Sequence, residues 1–490
     1  MKKSAIIVAF VLACLSTTAQ DYHYWSEQFG AKSDLLGGAV IAGVRDNSAL
    51  FYNPGAIGFI EGNSISVTAT IYKFHITKIR NGVGEGLDFH YNRYAYYPQL
   101  ISGMIDVFKD DRFKMSYTLL SRYNSRLRFN RRAISEIEFT EPSPGTEYYL
   151  GTFEYVNEFT EQWGGIGLGY RISDKFSVGI TTFVSYRYQT YRNLISATGI
   201  PVIDSTYYIA SLSSNHDVLF VNWKLFWKLG LAWDWGKWKL GITLLTPSLN
   251  IYGDADVQQD FASYNLGSFY GTGQNIDFIA TDRQEYLWMH YKSPLSVGLG
   301  LKHIARKAEV EISMEYFFSI AEYEMINAEA SPVIYPKNIY NDAIGDIKFV
   351  SVRGWANDVF NIAIGWKQEL NEKFDLLTGF RTDFNNFRDQ NKELEEGFIM
   401  KGRSWDIYHL SLGTTMKFGQ SEITAGFQYI FGGGKDLLQF ANFTDRGESG
   451  IEFLGEPQYT MQATDHGLAL IIGYTYYFGS GSSFDLKKSD

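Results

Sequence analysis

The sequence predicts an all-β protein: a 14-stranded antiparallel transmembrane β-barrel with an N-terminal hatch or plug segment in its lumen. Apolar residues recur at every second position beyond residue 63, which is the period of a strand. Fourteen such segments are separated by gaps that alternate between short and long. Aromatic residues make up 17% of the chain, and 47 Gly stand against 10 Pro. After the N-terminus, the chain has no apolar run of about 18 residues, which excludes helical membrane spans but not half-apolar barrel strands.

The first residues have the organisation of a secretory signal peptide. Lys2 and Lys3 precede the apolar stretch 5–15, and small residues follow at 17–19. We therefore expect residues 1–19 to be removed on export. The only cysteine, Cys14, lies in this stretch, so the mature chain is predicted to contain no disulfide.

Residues 20–63 do not alternate and are read as a separate segment. Gly, Asn and Pro recur in it, and these residues supply tight turns. Barrels of eight strands fill their own interior, whereas larger ones leave a lumen. This segment is therefore predicted to enter the lumen of the barrel and plug it.

The barrel itself is predicted to span residues 64–478, followed by a short tail at 479–490. Its strands are placed at 64–74, 94–105, 113–127, 151–172, 176–192, 218–235, 238–252, 286–303, 308–322, 358–368, 374–383, 407–418, 421–431 and 467–478. An even number of strands, with short turns at one rim and long loops at the other, is typical of bacterial outer-membrane barrels.

One face of each predicted strand is apolar, and the other is polar, charged or glycine. In the last strand Leu468, Leu470 and Ile472 alternate with Gly467, Ala469 and Gly473. A soluble sandwich avoids exposing apolar surface of this extent, and closure removes sheet edges that lipid cannot satisfy. The expected location is the outer membrane, with its lipid and lipopolysaccharide as neighbours and the barrel-assembly machinery as the partner for insertion.

The stretch 36–57 carries a more specific pattern. It begins Leu-Gly-Gly-Ala at residue 36, continues through Asp46 and Asn47, and ends with the aromatics at 51–52 followed by Asn53, Pro54 and Gly55. It resembles the hatch region of the FadL/TodX-type transporters of long-chain fatty acids and other hydrophobic compounds. Gly55 stands where that family usually has Ala.

The resemblance implies a function. Members of the family take up hydrophobic molecules by passive diffusion, and a hatch gates a lateral exit through the barrel wall. On this reading, Asn53, Pro54 and Gly55 shape the hatch, while Asp46, Asn47 and Phe51 pack it against the wall. The family's wall gap arises at a kink in an early strand. The predicted third strand, 113–127, has neither Gly nor Pro, so Pro98 in the second strand is the residue able to break the ladder.

Two further groups of residues are candidates for ligand contact. Five arginines lie within eleven positions and suit lipopolysaccharide phosphates or a ligand carboxylate, although a solvated basic stretch has the same composition. They are Arg122, Arg126, Arg128, Arg131 and Arg132. Phe183, Phe226 and Phe317 are expected to face the lumen, either as an apolar track or as filling against the plug.

Enzymatic and cofactor chemistry has little support in the sequence. The eight histidines are scattered without paired spacing, and no G-x-S-x-G elbow is present. The glycines at 165, 167 and 169 lie at strand spacing with no helix pattern after them, unlike a dinucleotide loop. The net charge of −10 argues against nucleic-acid binding. We expect no catalytic residues, no metal and no cofactor.

Two other functions fit the same barrel. A non-transporting relative would serve as a docking platform for protein secretion or surface attachment, with long loops that bind a secreted or surface protein. A general porin would have a wide polar lumen and conduct ions without any change to the N-terminal segment.

Overall fold

The computed structural model describes residues 23–105, 110–137, 145–203, 205–266, 277–335, 346–387, 396–444 and 454–478. The predicted signal peptide and the predicted C-terminal tail therefore lie outside the described residues. Within the described ranges, no helix is long and apolar enough to cross a membrane.

Strands dominate the chain. In order they are β1 Asn63–Arg80, β2 Phe89–Ile105, β3 Phe113–Ile137, β4 Glu147–Ser173, β5 Phe176–Ile200, β6 Val202–Ile203, β7 Thr206–Tyr207, β8 Ala210–Asp234, β9 Trp238–Leu245, β10 Leu249–Tyr264, β11 Phe278–Trp288, β12 Ser296–Ala305, β13 Ala308–Phe317, β14 Ile320–Ile326, β15 Ile334–Tyr335, β16 Val352–Ala356, β17 Val359–Asn371, β18 Phe374–Asp383, β19 Phe398–Ile399, β20 Asp406–Phe418, β21 Ser421–Leu437 and β22 Met461–Phe478.

These strands build a closed antiparallel barrel of fourteen strands, as predicted. Ten barrel strands are continuous, two consist of two pieces each, β9 with β10 and β11 with β12, and β13 and β17 complete the fourteen. The barrel closes where β1 pairs with β22, from Asn63 opposite Phe478 to Arg80 opposite Gln462. All fourteen predicted segments fall on these barrel strands in order.

The interruptions have local causes. Pro247 separates β9 from β10 and Pro294 separates β11 from β12, and proline cannot donate to a strand ladder. Beyond its break from β13, β14 pairs with β16 in a separate small sheet together with β19. Sequence reasoning placed continuous strands at 238–252, 286–303 and 308–322, and the structure divides each of them.

The outer wall is apolar around its circumference. Leu119 is 63% exposed, Ile166 59%, Leu412 56% and Phe427 55%. Trp235 and Trp238 are about half exposed at a short turn, and Phe478 lies at the same rim. Alternating strands with an exposed apolar face and aromatic residues at the rim form the surface that a membrane barrel presents to lipid.

The N-terminal segment, residues 23–62, lies inside this wall. It contains helix α1 at Ala31–Leu35, helix α2 at Ala49–Tyr52 and a 3₁₀ helix at Pro54–Phe59. Most of its side chains are buried, and its apolar ones pack with inward-facing residues of the strands. It fills the lumen near the rim of short turns.

A second apolar cluster, which we call the upper cluster, fills the lumen toward the rim of long loops. It combines inward-facing aromatics such as Phe129 and Phe153 with Met325, Val352 and Phe398 from β14, β16 and β19. The small sheet therefore packs within the barrel, above the N-terminal segment.

Candidate functional site

Inward-facing glycines of the barrel strands allow the N-terminal segment to lie close to the wall. A Cβ atom added to any of them would come closer to that segment than side chains tolerate, and for several of them the obstructing atoms are its backbone. They are Gly167, Gly169, Gly179, Gly230, Gly241, Gly300, Gly365, Gly379, Gly413, Gly426 and Gly473. They occupy β4, β5, β8, β9, β12, β17, β18, β20, β21 and β22, and we call them the glycine belt. β1, β2 and β3 contribute no member to it.

Asn53 makes three hydrogen bonds, two within the N-terminal segment and one to strand β8 of the wall. Its fully buried side chain accepts from the Gly55 N–H at 3.0 Å and donates to the carbonyls of Ile41 at 2.8 Å and Leu231 at 3.1 Å. Pro54 begins the 3₁₀ helix that follows. A Cβ at Gly55 would lie 2.7 Å from the Gly230 carbonyl oxygen, so the absence of a side chain at this position has a steric reason.

The other predicted hatch residues make contacts on the side of β1 and β4. Asp46 accepts a hydrogen bond from the Ser48 N–H at 2.9 Å, which fixes the turn before α2. Asn47 donates to the Ser66 hydroxyl at 2.9 Å and accepts from the Ser64 hydroxyl at 2.7 Å, both on β1. The Phe51 ring lies 6.0 Å from Trp163 of β4, centroid to centroid.

The three predicted lumen phenylalanines are packed against this segment. Phe183 and Phe226 stack at 5.5 Å, and Trp163 contacts both rings. Phe317 stacks on Tyr24 at 4.3 Å. All three phenylalanines are at most 4% exposed, so in this structure they fill space beside the N-terminal segment.

The barrel wall is incompletely paired between β2 and β3. The two strands pair only from Leu100–Ile105 to Met115–Leu120. Over the rest of their described lengths, 89–99 and 121–137, they are not paired with each other, although β2 stays paired with β1 and β3 with β4. Pairing stops beside Pro98, the residue that the sequence singled out. We call this opening the wall gap.

Two bulges mark the point where the wall gap begins. The β1–β2 register skips Gln99, and the β3–β4 register skips Arg122. Both side chains are buried and bind the N-terminal segment: Gln99 donates to the Asp34 carboxylate at 3.1 Å, and Arg122 donates to the Tyr24 carbonyl. A bulge re-aims a side chain, and here both point to the same segment.

Two carboxylates of the N-terminal segment, Asp34 and Glu27, bind side chains of other barrel strands. Asp34 also accepts from Gln428 at 2.7 Å and lies 3.5 Å from the Arg381 guanidinium. Burial raises the pKa of Asp34 despite these partners. Burial also favours the neutral form of Glu27, but the ion pair with Lys73 at 2.6 Å outweighs it and lowers the pKa of Glu27.

A cavity lies beside the wall gap, between the N-terminal segment and the upper cluster. The volume that the centre of a water molecule can reach in it is about 90 Å³, and the cavity is partly open to solvent. Arg93 and Ala95 of β2 face Asn124 and Leu127 of β3 across it, so both edges of the wall gap line the cavity. Its lining is mixed: Phe159, Ile407 and Ile430 are apolar, and Glu27, Arg403 and His409 are polar.

The structure separates the five predicted arginines. Arg122 is buried in the lumen, whereas Arg126, Arg128, Arg131 and Arg132 are exposed toward the long-loop end of β3. Arg128 pairs with Glu158 of β4 at 2.5 Å, and Arg126 lies 4.0 Å from the same carboxylate. The five do not form one site.

Sequence reasoning did not identify Arg93, Gln99, Asp34 or the glycine belt as functional. The sequence does contain a signal for the glycine belt, because glycines recur at inward positions of many strands, such as Gly241 and Gly300. Arg93 also stands at an inward position, where a charged residue needs a partner. In the part of the chain that the structure describes, no group of three or more His, Cys, Asp or Glu side chains is arranged to hold a metal.

The fold and this site define a class: β-barrels of fourteen strands that carry their own N-terminal segment in the lumen. Several solved structures resemble the chain in fold. A FadL homologue of Pseudomonas aeruginosa aligns with a TM-score of 0.54 and 12% identity, over 95% of this chain and 100% of that one. The toluene transporter TodX of Pseudomonas putida gives 0.54 and 14%, over 92% and 99%.

A third structure, the toluene transporter TbuX of Ralstonia pickettii, gives a TM-score of 0.50 and 13% identity over 92% of this chain and 99% of that one. These likenesses extend over nearly the whole of each chain, so the protein has the FadL-type fold. No protein-family model and no curated protein sequence matches it.

Proposed function

We propose that the protein is an outer-membrane channel for the passive uptake of hydrophobic compounds, and that an N-terminal signal peptide directs the export of the chain before it inserts into that membrane. The observation that carries the proposal is the wall gap with a cavity directly behind it. A route through the wall suits an apolar solute because it leads into lipid and avoids the aqueous periplasm. The toluene-transporter function of TodX and TbuX supports the same class of solute.

The N-terminal segment acts in this proposal as the hatch. It occupies the lumen on the periplasmic side, so a solute in the cavity leaves sideways and does not continue along the barrel axis. Gln99 and Arg122 connect the hatch to both edges of the wall gap. A small shift of the hatch at Asp34 or Tyr24 is thereby transmitted to β2 and β3, which is how the hatch gates the exit.

Long-chain fatty acids are the substrate to test first. The cavity combines apolar side chains, which suit an acyl chain, with cationic ones that suit a carboxylate. The exposed arginines of β3 have a different role in this proposal. Arg126, Arg128, Arg131 and Arg132 are exposed toward the long-loop end of β3, a position that suits contact with lipopolysaccharide phosphates.

Closing the wall gap chemically tests the route. Ala95→Cys and Ser125→Cys place thiols on opposite edges of the gap, and a bismaleimide can join them after insertion into liposomes. We expect saturable uptake of labelled fatty acid by the unlinked protein and loss of that uptake on crosslinking. The matched control joins cysteines at Thr414 and Ala425, which are already paired between β20 and β21.

Each result has a defined meaning. Unchanged uptake in the crosslinked gap variant would overturn the lateral route. No binding and no uptake by a barrel that shows the heat-shifted gel mobility of a folded outer-membrane protein would overturn transport and favour the docking platform. Ion conductance by the unmodified protein would favour a porin.

A further inference from the structure

One polar side chain bridges the wall gap. The Arg93 guanidinium of β2 donates to the backbone carbonyl of Asn124 on β3 at 2.9 Å and to the Asn124 side-chain oxygen at 2.6 Å. Below it, the backbone ladder resumes at Leu100 and Leu120. Above it, the Phe89 and Phe129 rings meet at 5.3 Å. Arg93 is therefore a polar link in the middle of a stretch in which the backbones of β2 and β3 are not paired.

Both partners of Arg93 are neutral. The acidic groups near the cavity are engaged elsewhere: Glu27 pairs with Lys73 at 2.6 Å, and Asp465 pairs with His75 at 2.9 Å and Arg403 at 3.8 Å.

Asp383 is fully buried, with His23 at 3.5 Å and His409 at 3.9 Å. Within the described residues, no carboxylate lies at ion-pair distance from Arg93. The guanidinium thus presents a charge without a counterion at the edge of the cavity.

A carboxylate is a stronger partner for a guanidinium than an amide oxygen. Charge-assisted, bidentate pairs are shorter and roughly twice as strong as neutral hydrogen bonds. An anionic group that enters the cavity therefore competes with Asn124 for the same donors. Leu127, Phe159 and Ile430 provide apolar surface beside it for the rest of an amphiphile.

We propose that Arg93 is a ligand-released latch: it holds β2 to β3 until the anionic head group of an amphiphile replaces Asn124 as its partner. Release of Asn124 frees the two edges of the wall gap to separate, so that the apolar tail passes between them. Arg93 would thus make the exit selective for anionic amphiphiles over neutral hydrocarbons. This inference rests on the proposed function, because it assigns the wall gap as the exit.

Uptake measurements test the selectivity. Wild type, Arg93→Gln and Arg93→Lys are compared in liposomes with a labelled long-chain fatty acid and with labelled naphthalene, a neutral hydrocarbon. Loss of the charge is expected to raise the KM for the fatty acid about tenfold or more, while naphthalene uptake stays the same or rises. Arg93→Lys keeps the charge and should retain part of the fatty acid uptake. Arg80→Gln, on the outward face of β1, is the matched control.

Distance measurements test the latch independently of transport. Spin labels at Tyr96→Cys and Arg126→Cys lie on the outer faces of β2 and β3, and the only native cysteine is Cys14 in the predicted signal peptide. Fatty acid should lengthen the distance between the labels in the protein with Arg93 and leave it unchanged with Arg93→Gln. Naphthalene should have no such effect in either protein.

The outcomes separate the two proposals. Absence of uptake of either compound by wild type overturns the proposed function, and the label distances then still test whether Arg93 responds to an anion. Equal loss of both compounds in Arg93→Gln, or a label distance that fatty acid does not change, overturns the latch.

Discussion

At the scale of single residues, the site depends on side chains that replace missing backbone contacts and on positions that have no side chain. The Asn53 side chain bonds to the Gly55 N–H at the start of the 3₁₀ helix, to the Ile41 carbonyl and to the Leu231 carbonyl of β8. The glycine belt acts differently. Its residues have no Cβ atom, so the backbone of the N-terminal segment can approach the backbone of the barrel strands closely. Gly and Asn are visible in the sequence, but which backbone each one meets depends on strands more than a hundred residues away.

Asn53→Ala tests the first of these devices. Loss of the amide leaves the Ile41 and Leu231 carbonyls and the Gly55 N–H without this partner, and each such buried group costs about 1–3 kcal/mol. The hatch should loosen while the barrel stays folded. We expect leakage of small polar dyes to rise slightly, because the upper cluster remains in place, and the heat-shifted gel mobility to stay unchanged. Asn130→Ala, at an exposed position of β3, is the control, and equal leakage in both variants would contradict the role of Asn53.

Gly169→Ala tests the glycine belt. The added methyl group would lie 2.5 Å from the Gly58 nitrogen and 2.7 Å from the Ile57 Cβ, so the 3₁₀ helix must shift. Overpacking of this kind costs about 1–3 kcal/mol. Limited proteolysis from the periplasmic side should then cut the hatch sooner.

Gly164→Ala on the same strand is the matched control for this test. There the added Cβ meets only the Leu119 side chain at 3.5 Å, an ordinary contact. Identical cleavage of the two variants would show that the hatch does not depend on close approach to β4.

At the scale of elements, alternation predicted the strands and their closed antiparallel order, but not the stretch over which β2 and β3 are not paired. The fourteen segments are local patterns, so each could be read from its own residues, such as Leu468, Leu470 and Ile472. The wall gap is a property of two strands together. Pro98 marked the place in one strand, but the bulge at Arg122 lies in a stretch of β3 without Gly or Pro and leaves no sequence signal. The inward packing of β14 and β16 was missed for the same reason, because alternation continues across the break after Phe317.

Hydrogen exchange tests the wall gap as an element. Amides of β2 at 89–99 and of β3 at 123–137 that point into the gap lack a ladder partner, whereas those that point to β1 or β4 have one. Exchange in detergent micelles should therefore be fast at about every second amide of these stretches. The continuous β20–β21 ladder, paired from Asp406 to Phe418, is the internal standard. Uniform protection of β2 and β3 at the level of β20 would mean that the strands pair in solution.

At the scale of the whole molecule, the lumen is obstructed twice. The N-terminal segment closes it toward the rim of short turns, and the upper cluster closes it toward the rim of long loops. The cavity between them opens toward the wall gap. Under the proposed function, a barrel that is obstructed along its axis and unpaired in its side directs a solute laterally, and the cavity lining then determines which solutes enter.

Because the two obstructions lie in series, deleting one or both of them should change the leak of a polar dye in a specific way. Removing residues 21–60 opens one of them, and replacing residues 320–356 with a short Gly/Ser linker removes β14 and β16 from the other, together with the two-residue strand β15 that pairs with β11. Flow through barriers in series is limited by whichever remains, so each single deletion should raise the leak of a polar dye modestly, and the double deletion should raise it far more than the sum. Dye efflux from liposomes measures this, with heat-shifted gel mobility as the test of folding. A large leak from the first deletion alone would show that the upper cluster does not close the barrel, and no leak from a folded double deletion would show that neither part is the barrier.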